Sequence, residues 1–195
     1  MALGIECIIT PRCNYEINNA LTILLRHPQG ECLCRPVMGV HHITWIATSS
    51  GLCDAKVLAD AMCWLVGDGD AVSIEESQSH HGTSIHLIEA GFKRSGKATK
   101  SLARLGPDAL DLLVAEINER LTDDNELHIR LDLLELVAGR IKITKPGRRA
   151  TIKGKTKFEV YPGDDKVTVA ITTLSHAREE AIRLNYPEDA TIGRQ

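Results

Sequence analysis

The segment VSIEESQSHHGTSIHLIEA, residues 72–90, decides the fold of this chain. In its first half the apolar residues Val72 and Ile74 alternate with polar ones, and its second half repeats the pattern. Alternation with a period of two is typical of β-strands. Between the halves lies a polar turn with Gly82, a residue type that accepts a positive φ where the chain reverses. We therefore predict a long β-hairpin whose tip carries His80 and His81.

The bulk composition allows one globular domain and indicates no membrane protein. The chain has 195 residues, 43% of them apolar, and a net charge of −3. No apolar run approaches the ~18 residues that indicate a membrane span. The first residues contain no basic cluster of the kind that begins a signal peptide. We therefore expect a cytoplasmic protein with reduced thiols.

The first 37 residues differ from the rest of the sequence. They hold four of the six cysteines and three of the seven prolines, but no lysine and no aspartate. One hypothesis is a zinc site, although the spacing lacks the C-x2-C pairs typical of such sites; its ligands would be Cys7, Cys13, Cys32 and Cys34. The other is an atypical leader, either disordered or a misassigned start before Met38. We predict a leader at 1–37, one domain at 38–186 and a tail at 187–195.

From residue 38 onward the hydrophobic periodicity predicts alternating strands and helices. Besides the hairpin, we predict strands at 40–48, 126–131, 140–144 and 151–161. Helices are predicted at 54–65 (capped by Asp54), at 95–105, from Pro107 to 121, and after the Asp164–Asp165 pair as far as 184. This order indicates an α+β domain, with helices packed on one face of a mainly antiparallel sheet.

Charged residues are segregated along the sequence. The segment 140–158 has eight basic residues and no acidic one, and 91–106 adds five more basic residues without an acid. Nine acidic residues lie in 108–135. In a strand, alternate residues point to the same side, so three lysines would form a row with ~7 Å steps; they are Lys153, Lys155 and Lys157.

The row of lysines has two interpretations. It is either a solvated sheet face whose lysines discourage edge pairing, or a phosphate-binding face. Aromatic residues make up only 4% of the chain, and Trp45, Phe92 and Phe158 fall in apolar patterns. An exposed stacking platform is therefore not expected, and a nucleic acid would be bound mainly through its backbone and shape.

The histidine pairs allow several roles. His80 and His81 are adjacent, so in an extended segment they point opposite ways, and His41 and His42 in the first strand should do the same. Four roles for the tip stay open: a zinc site completed by His86 and Glu89, a general base at His81, a phosphate-binding turn, or an imidazole that only shapes the turn.

Residues 40–185 resemble the archaeal family of predicted RNA-binding exosome subunits. The most specific match is the turn His80-His81-Gly82, followed by the Ile/Leu-rich strand and Glu89-Ala90. The segments LHIRLD (127–132) and GRIKI (139–143) and the strand that ends at Tyr161-Pro162 also match. The resemblance implies a domain similar to ribosomal protein L5, RNA binding, and association with the RNA-degrading exosome. The segment before Met38 departs from the family pattern.

We therefore predict a non-catalytic RNA-binding protein whose partners are RNA and exosome subunits. No catalytic residue, metal or cofactor is predicted. The alternatives are a protein–protein adaptor without RNA binding of its own, and a histidine-dependent enzyme of phosphate chemistry. The predicted RNA contacts are Arg130, Arg140, Lys142, Lys145, Arg148, Arg149, Lys153, Lys155, Lys157, Lys97, Lys100, Arg104, His80, His81 and Gly82.

Overall fold

The computed structural model describes residues 39–50, 54–78, 80, 82–147 and 150–187. The predicted leader, its four cysteines and all but the first residue of the predicted tail lie outside these residues, so the domain limits stay predictions. The same is true of His81, Arg148 and Arg149. Within the described part, no helix is long and apolar enough to cross a membrane.

The described strands form one antiparallel sheet with the order β2-β3-β1-β5-β4. The predicted hairpin is confirmed, and Gly82 at its tip has a φ of +75°. The strands are β1 (Val40–Ser50), β2 (Val72–Gln78), β3 (Ser84–Phe92), β4 (Glu126–Asp132) and β5 (Thr151–Phe158).

The predicted helices are confirmed with small shifts at their ends, except that the helix predicted from Pro107 to 121 is interrupted at Glu116 and forms two helices. The Asp54 carboxylate accepts a hydrogen bond from the Lys56 amide at 2.9 Å and so caps the first helix, as expected. The Asp165 carboxylate caps the last helix through the Thr168 amide. The helices of the described part are α1 (Ala55–Val66), α2 (Ser95–Ala103), α3 (Pro107–Ala115), α4 (Ile117–Arg120), α5 (Leu133–Val137) and α6 (Lys166–Leu184).

The hydrophobic core lies between the sheet and these helices. Alternate strand residues point into it, for example Ile43 and Trp45 of β1 and Ile129 of β4, which are at most 1% exposed. The α+β class with helices packed against an antiparallel sheet is confirmed. The opposite side of the sheet, which we call the open face, carries the other half of each strand. The similarity to ribosomal protein L5 stays a prediction.

One predicted strand is wrong. Residues 140–144 form only an isolated bridge between Ile143 and Leu131, at the outer edge of β4. β4 and this segment are not joined by a tight hairpin turn, because α5, which was not predicted, lies between them in the chain. The sequence did contain a signal for α5. Asp132 accepts hydrogen bonds from the Leu134 and Glu135 amides, and Gly139 ends the helical segment with a φ of +76°.

Candidate nucleic-acid interface

Four basic residues lie side by side on the open face of the sheet. On β5 the lysine row occupies alternate positions. The β4–β5 register places Arg130 opposite Lys153, and it places His128 opposite Lys155. Neighbouring strands are ~4.8 Å apart, so these side chains form one surface. We call it the basic sheet face, and its members are Arg130, Lys153, Lys155 and Lys157.

One carboxylate borders the basic sheet face. The Lys155 ammonium lies 3.3 Å from Glu126 on β4, and its hydrogen bond lowers the pKa of that carboxyl. The lysine side of this pair is exposed, so the pair contributes little to stability and can be broken by a competing anion. Within the described residues, Arg130, Lys153 and Lys157 form no ion pair.

The open face is electrostatically divided. Its basic half lies on β4 and β5. On β2 and β3 the same face carries two carboxylates. The register pairs Glu75 with Leu87 and Glu89 with Ile46, and these partners are on the open face. Trp45 and both phenylalanines are buried, as expected, with Trp45 0% exposed, Phe92 7% and Phe158 2%, and the second tryptophan, Trp64, lies on α1. Among the described residues, no tryptophan or phenylalanine lies on this face for bases to stack on, so the electrostatic attraction of phosphates is the main force available there.

Three of the predicted contacts are paired with carboxylates. Arg140 lies 2.8 Å and Lys142 3.7 Å from the two oxygens of Glu135 on α5. Lys145 lies 3.7 Å from Glu116 and from Glu119. The acidic segment 108–135 thus folds back on the basic segment that follows it. These three cations are partly neutralised, so they attract phosphate less than the lysine row does.

The basic residues of α2 lie on the other side of the sheet. This helix packs on the core face, where Ser101 accepts a hydrogen bond from the Trp45 indole at 3.1 Å. Lys97 forms an ion pair of 2.7 Å with Asp68 and lies over the Phe92 ring, whereas Lys100 is exposed. The structure therefore does not bring α2 and the basic sheet face together into one surface.

Arg104 has a role within the fold. Its Nε and Nη2 atoms donate hydrogen bonds of 3.0 and 2.8 Å to the Trp64 carbonyl near the end of α1. Its guanidinium lies over the Tyr186 ring, 5.0 Å from the centroid. A cation in this position satisfies a carbonyl at a helix C-terminus and joins α1, α2 and the end of the domain.

We expect Arg104→Ala to lower the free energy of unfolding by about 1.5–3 kcal/mol, because it removes two charge-assisted hydrogen bonds from a part-buried carbonyl. Arg104→Lys should recover only part of this loss, because an ammonium does not reproduce the fork of the guanidinium. Urea unfolding followed by circular dichroism measures both variants. A loss of RNA affinity without a loss of stability would contradict the role within the fold.

The hairpin tip lies apart from the lysine row. β3 and β1 separate β2 from β5 in the sheet, so the tip and the row are at different places along its width. His80 and Gly82 are exposed at the tip. The role of His80, His81 and Gly82 in RNA binding therefore stays a prediction, as an element separate from the basic sheet face.

The structure corrects the expectation for His41 and His42. A β-bulge interrupts β1, because Val40 lies opposite Phe158 and His42 opposite the preceding residue, Lys157. His41 is the extra residue, and the bulge turns its ring toward its neighbour. The two Nδ1 atoms are 2.9 Å apart. Nothing in the sequence predicted this pair, since a bulge depends on how two strands pair.

Metal ligation has no support in the described part of the chain. There, no group of three or more His, Cys, Asp or Glu side chains is arranged to hold an ion. This includes His86 and Glu89, whereas the four leader cysteines lie outside the described residues.

Comparison with known proteins identifies the class. The model of a protein family described as "RNA binding" matches residues 54–173, which is more than half of the chain. The chain belongs to this RNA-binding family.

Two solved archaeal structures have a similar fold. One is Mth689, a DUF54 protein of Methanothermobacter thermautotrophicus, with 20% identity and a TM-score of 0.56 over 71% of this chain and 98% of the other. The second is AF2318 of Archaeglobus fulgidus, also of the DUF54 family, with 20% identity and a TM-score of 0.55 over 72% and 98% of the two chains. At this identity they show the fold alone. No curated protein matches the chain.

Proposed function

We propose that this protein binds RNA through the basic sheet face and does so without catalysis. The observation that carries the proposal is the row of Lys153, Lys155 and Lys157 beside Arg130, on the side of the sheet opposite the helices. A row of closely spaced cations on an extended strand suits the regularly spaced phosphates of a nucleic-acid backbone. The family description supports RNA as the polymer.

Two finer parts of the proposal rest on the sequence alone, the first on the resemblance and the second on the composition and the N-terminal residues. They are an association with the RNA-degrading exosome and a role in the cytoplasm. In the adaptor hypothesis a partner complex docks either on the basic hairpin or on the acidic third helix, which the structure forms as α3 and α4. Part of that charge is used within the chain, because Glu116 bonds Arg120 and Lys145, and Asp111 bonds Arg178. This favours RNA over a basic partner protein.

We expect RNA binding that weakens steeply with salt. If the four cations of the basic sheet face each contact one phosphate of a single strand, log Kd should rise with log[salt] with a slope of about 3. Fluorescence anisotropy with a labelled single-stranded RNA, measured from low to physiological salt, gives this slope. The same measurement on a duplex and on DNA of the same sequence shows whether strandedness or the 2′-hydroxyl matters.

Three outcomes would contradict parts of this proposal. Absence of binding at low salt would remove RNA binding, and it would leave the adaptor if exosome subunits still co-purify with the protein after nuclease treatment. Loss of those subunits while RNA binding persists would remove the exosome association. Shortening of the RNA during incubation, abolished by His81→Ala, would replace the non-catalytic role with the enzyme hypothesis.

A further inference from the structure

A cavity opens on the sheet next to the basic sheet face. Its volume is about 520 Å³, within the range of pockets that hold small molecules. The β1–β3 and β2–β3 registers place Thr44, Ser73 and Glu89 on the open face. His41, His42 and Lys93 complete its polar lining. Gly91 has no side chain there, and a Cβ at that position would lie 3.6 Å from the Thr44 hydroxyl.

The histidine pair gives this cavity an unusual proton chemistry. A hydrogen bond between the two Nδ1 atoms requires a proton on one ring and a bare nitrogen on the other. Protonation of both rings would place two cations in contact. Partial burial lowers the pKa of His42, and the charges of His41 and Lys157 lower it further. An anion bound at this place would favour the charged form and reverse the effect.

The charges around His42 are mainly positive. His41 is its neighbour on β1, Lys155 and Lys157 face it from β5, and Glu126 on β4 is the opposing charge. Across the cavity lie Lys93 and one carboxylate, Glu89. Lys157 belongs to the basic sheet face and lies directly opposite His42 in the sheet. A strand bound along the lysine row would therefore be led to the cavity.

We propose that this cavity binds a phosphomonoester, the group found at a phosphorylated end of an RNA chain or on a free nucleotide. The phosphate would contact His41, His42 and Lys93, with Lys157 beside it. Ser73, Thr44 and Glu89 would accept or donate hydrogen bonds to the sugar or base of the same nucleotide. A monoester carries more negative charge than a chain phosphate, because its second ionisation has a pKa of about 6. For RNA ends this inference rests on the proposed function, whereas for free nucleotides it does not.

The test compares oligoribonucleotides of one sequence that carry a 5′-phosphate, a 3′-phosphate or no terminal phosphate, with the full chain. We expect one phosphorylated end to bind at least tenfold more tightly than the unphosphorylated oligonucleotide, because even one added charge-assisted contact gives this ratio. His42→Gln should reduce this ratio severalfold, because only His41 and Lys93 of the proposed contacts remain. His176→Gln, an exposed histidine of α6 on the helix side, is the matched control and should keep the ratio.

The ratio of the affinities for the phosphorylated and the unphosphorylated oligonucleotide should depend on pH in a defined direction. Because the pKa of His42 is lowered, its ring is neutral at neutral pH and gains a proton only as the pH falls. The monoester keeps its second charge down to about pH 6, so the ratio should rise from about pH 8 to about pH 6.5. In His42→Gln the ratio should stay constant over this range.

Titration with adenosine 5′-monophosphate, followed by the NMR signals of the histidine rings, tests the cavity without RNA and without a variant. The His41 and His42 signals should shift, and adenosine alone should leave them in place. If RNA binds but the ratio is one for both phosphorylated ends and the nucleotide shifts neither ring, the cavity inference is overturned and the proposed function stands. If RNA does not bind, the proposed function fails and the nucleotide titration alone decides the cavity.

Discussion

Charge reversal of the lysine row is expected to weaken RNA binding by a hundredfold or more. In the variant, Lys153, Lys155 and Lys157 are all changed to glutamate. Three contacts to phosphate at about 1 kcal/mol each correspond to roughly 3 kcal/mol, or about a hundredfold in Kd, before the repulsion of the new carboxylates is added. The slope of log Kd against log[salt] should fall by about 2, because the three phosphate contacts disappear. Anisotropy titration measures both quantities.

A control of equal charge makes this result specific. The change of Lys56, Lys97 and Lys100 to glutamate alters the net charge by the same amount, but Lys97 and Lys100 belong to α2 on the helix side of the sheet. This control should keep most of the affinity. If the control loses binding and the sheet variant keeps it, the interface lies on the helix layer. Equal losses would indicate attraction by net charge without a defined surface.

Both triple variants require a check of folding. Lys155→Glu replaces an ion pair with a repulsion, because Glu126 lies 3.3 Å from the lysine ammonium. The pair is more than half exposed on the lysine side, at 52%, so the loss of stability should be small. Circular dichroism and thermal unfolding of each variant separate a lost interface from a lost fold.

The second large effect is on stability, at Gly154. This residue lies on the core face of β5, directly opposite Trp45 on β1. A Cβ at position 154 would overlap Cζ3 of the indole and lie 2.6 Å from Cε3, well inside contact distance. The ring cannot easily move away, because Trp45 is fully buried and its Nε1 donates a hydrogen bond to Ser101. Gly154→Ala should therefore lower the free energy of unfolding by about 1–3 kcal/mol, and Gly154→Val by more.

Two comparisons test this explanation by urea unfolding. Gly96→Ala is the matched control: a Cβ there meets no atom within 4 Å, and the position lies in the first turn of α2. It should be neutral or stabilising, because alanine has the higher helix propensity. In a Trp45→Leu background the additional cost of Gly154→Ala should largely disappear, because the clashing ring is gone. An undiminished cost there would show that strand propensity, and not the indole, accounts for the effect.

The sequence predicted most of the fold because most of its elements are specified locally. The hairpin around Gly82, the caps at Asp54 and Asp165 and the helix start at Pro107 each depend on a few adjacent residues. The helix α5 carried such a local signal as well, in Asp132 and Gly139, but the isoleucines of the segment that follows favoured a strand. The predicted strand at 140–144 was wrong because this segment pairs with β4 at a single bridge, whereas a strand needs a continuous ladder of hydrogen bonds with its partner.

For the candidate interface, alternation alone predicted that Lys153, Lys155 and Lys157 point the same way, because side chains in a strand have a fixed period of two. The sequence could not show which other basic residues join them. It segregated basic from acidic residues along the chain, whereas the fold pairs Arg140, Lys142 and Lys145 with carboxylates. Their availability to a ligand thus depends on contacts between distant segments.

Through local periodicity and turn chemistry, the sequence by itself determined the hairpin, the order of elements and the basic strand. Only the tertiary structure decided that Arg104 is part of the core scaffold, that α2 lies on the side of the sheet away from the lysine row, and that Gly154 makes room for Trp45. It also brought His41 and His42 together, through a bulge in the pairing of β1 with β5. These four features have one physical reason in common. Each depends on the packing of segments far apart in the chain, and no local pattern encodes such packing.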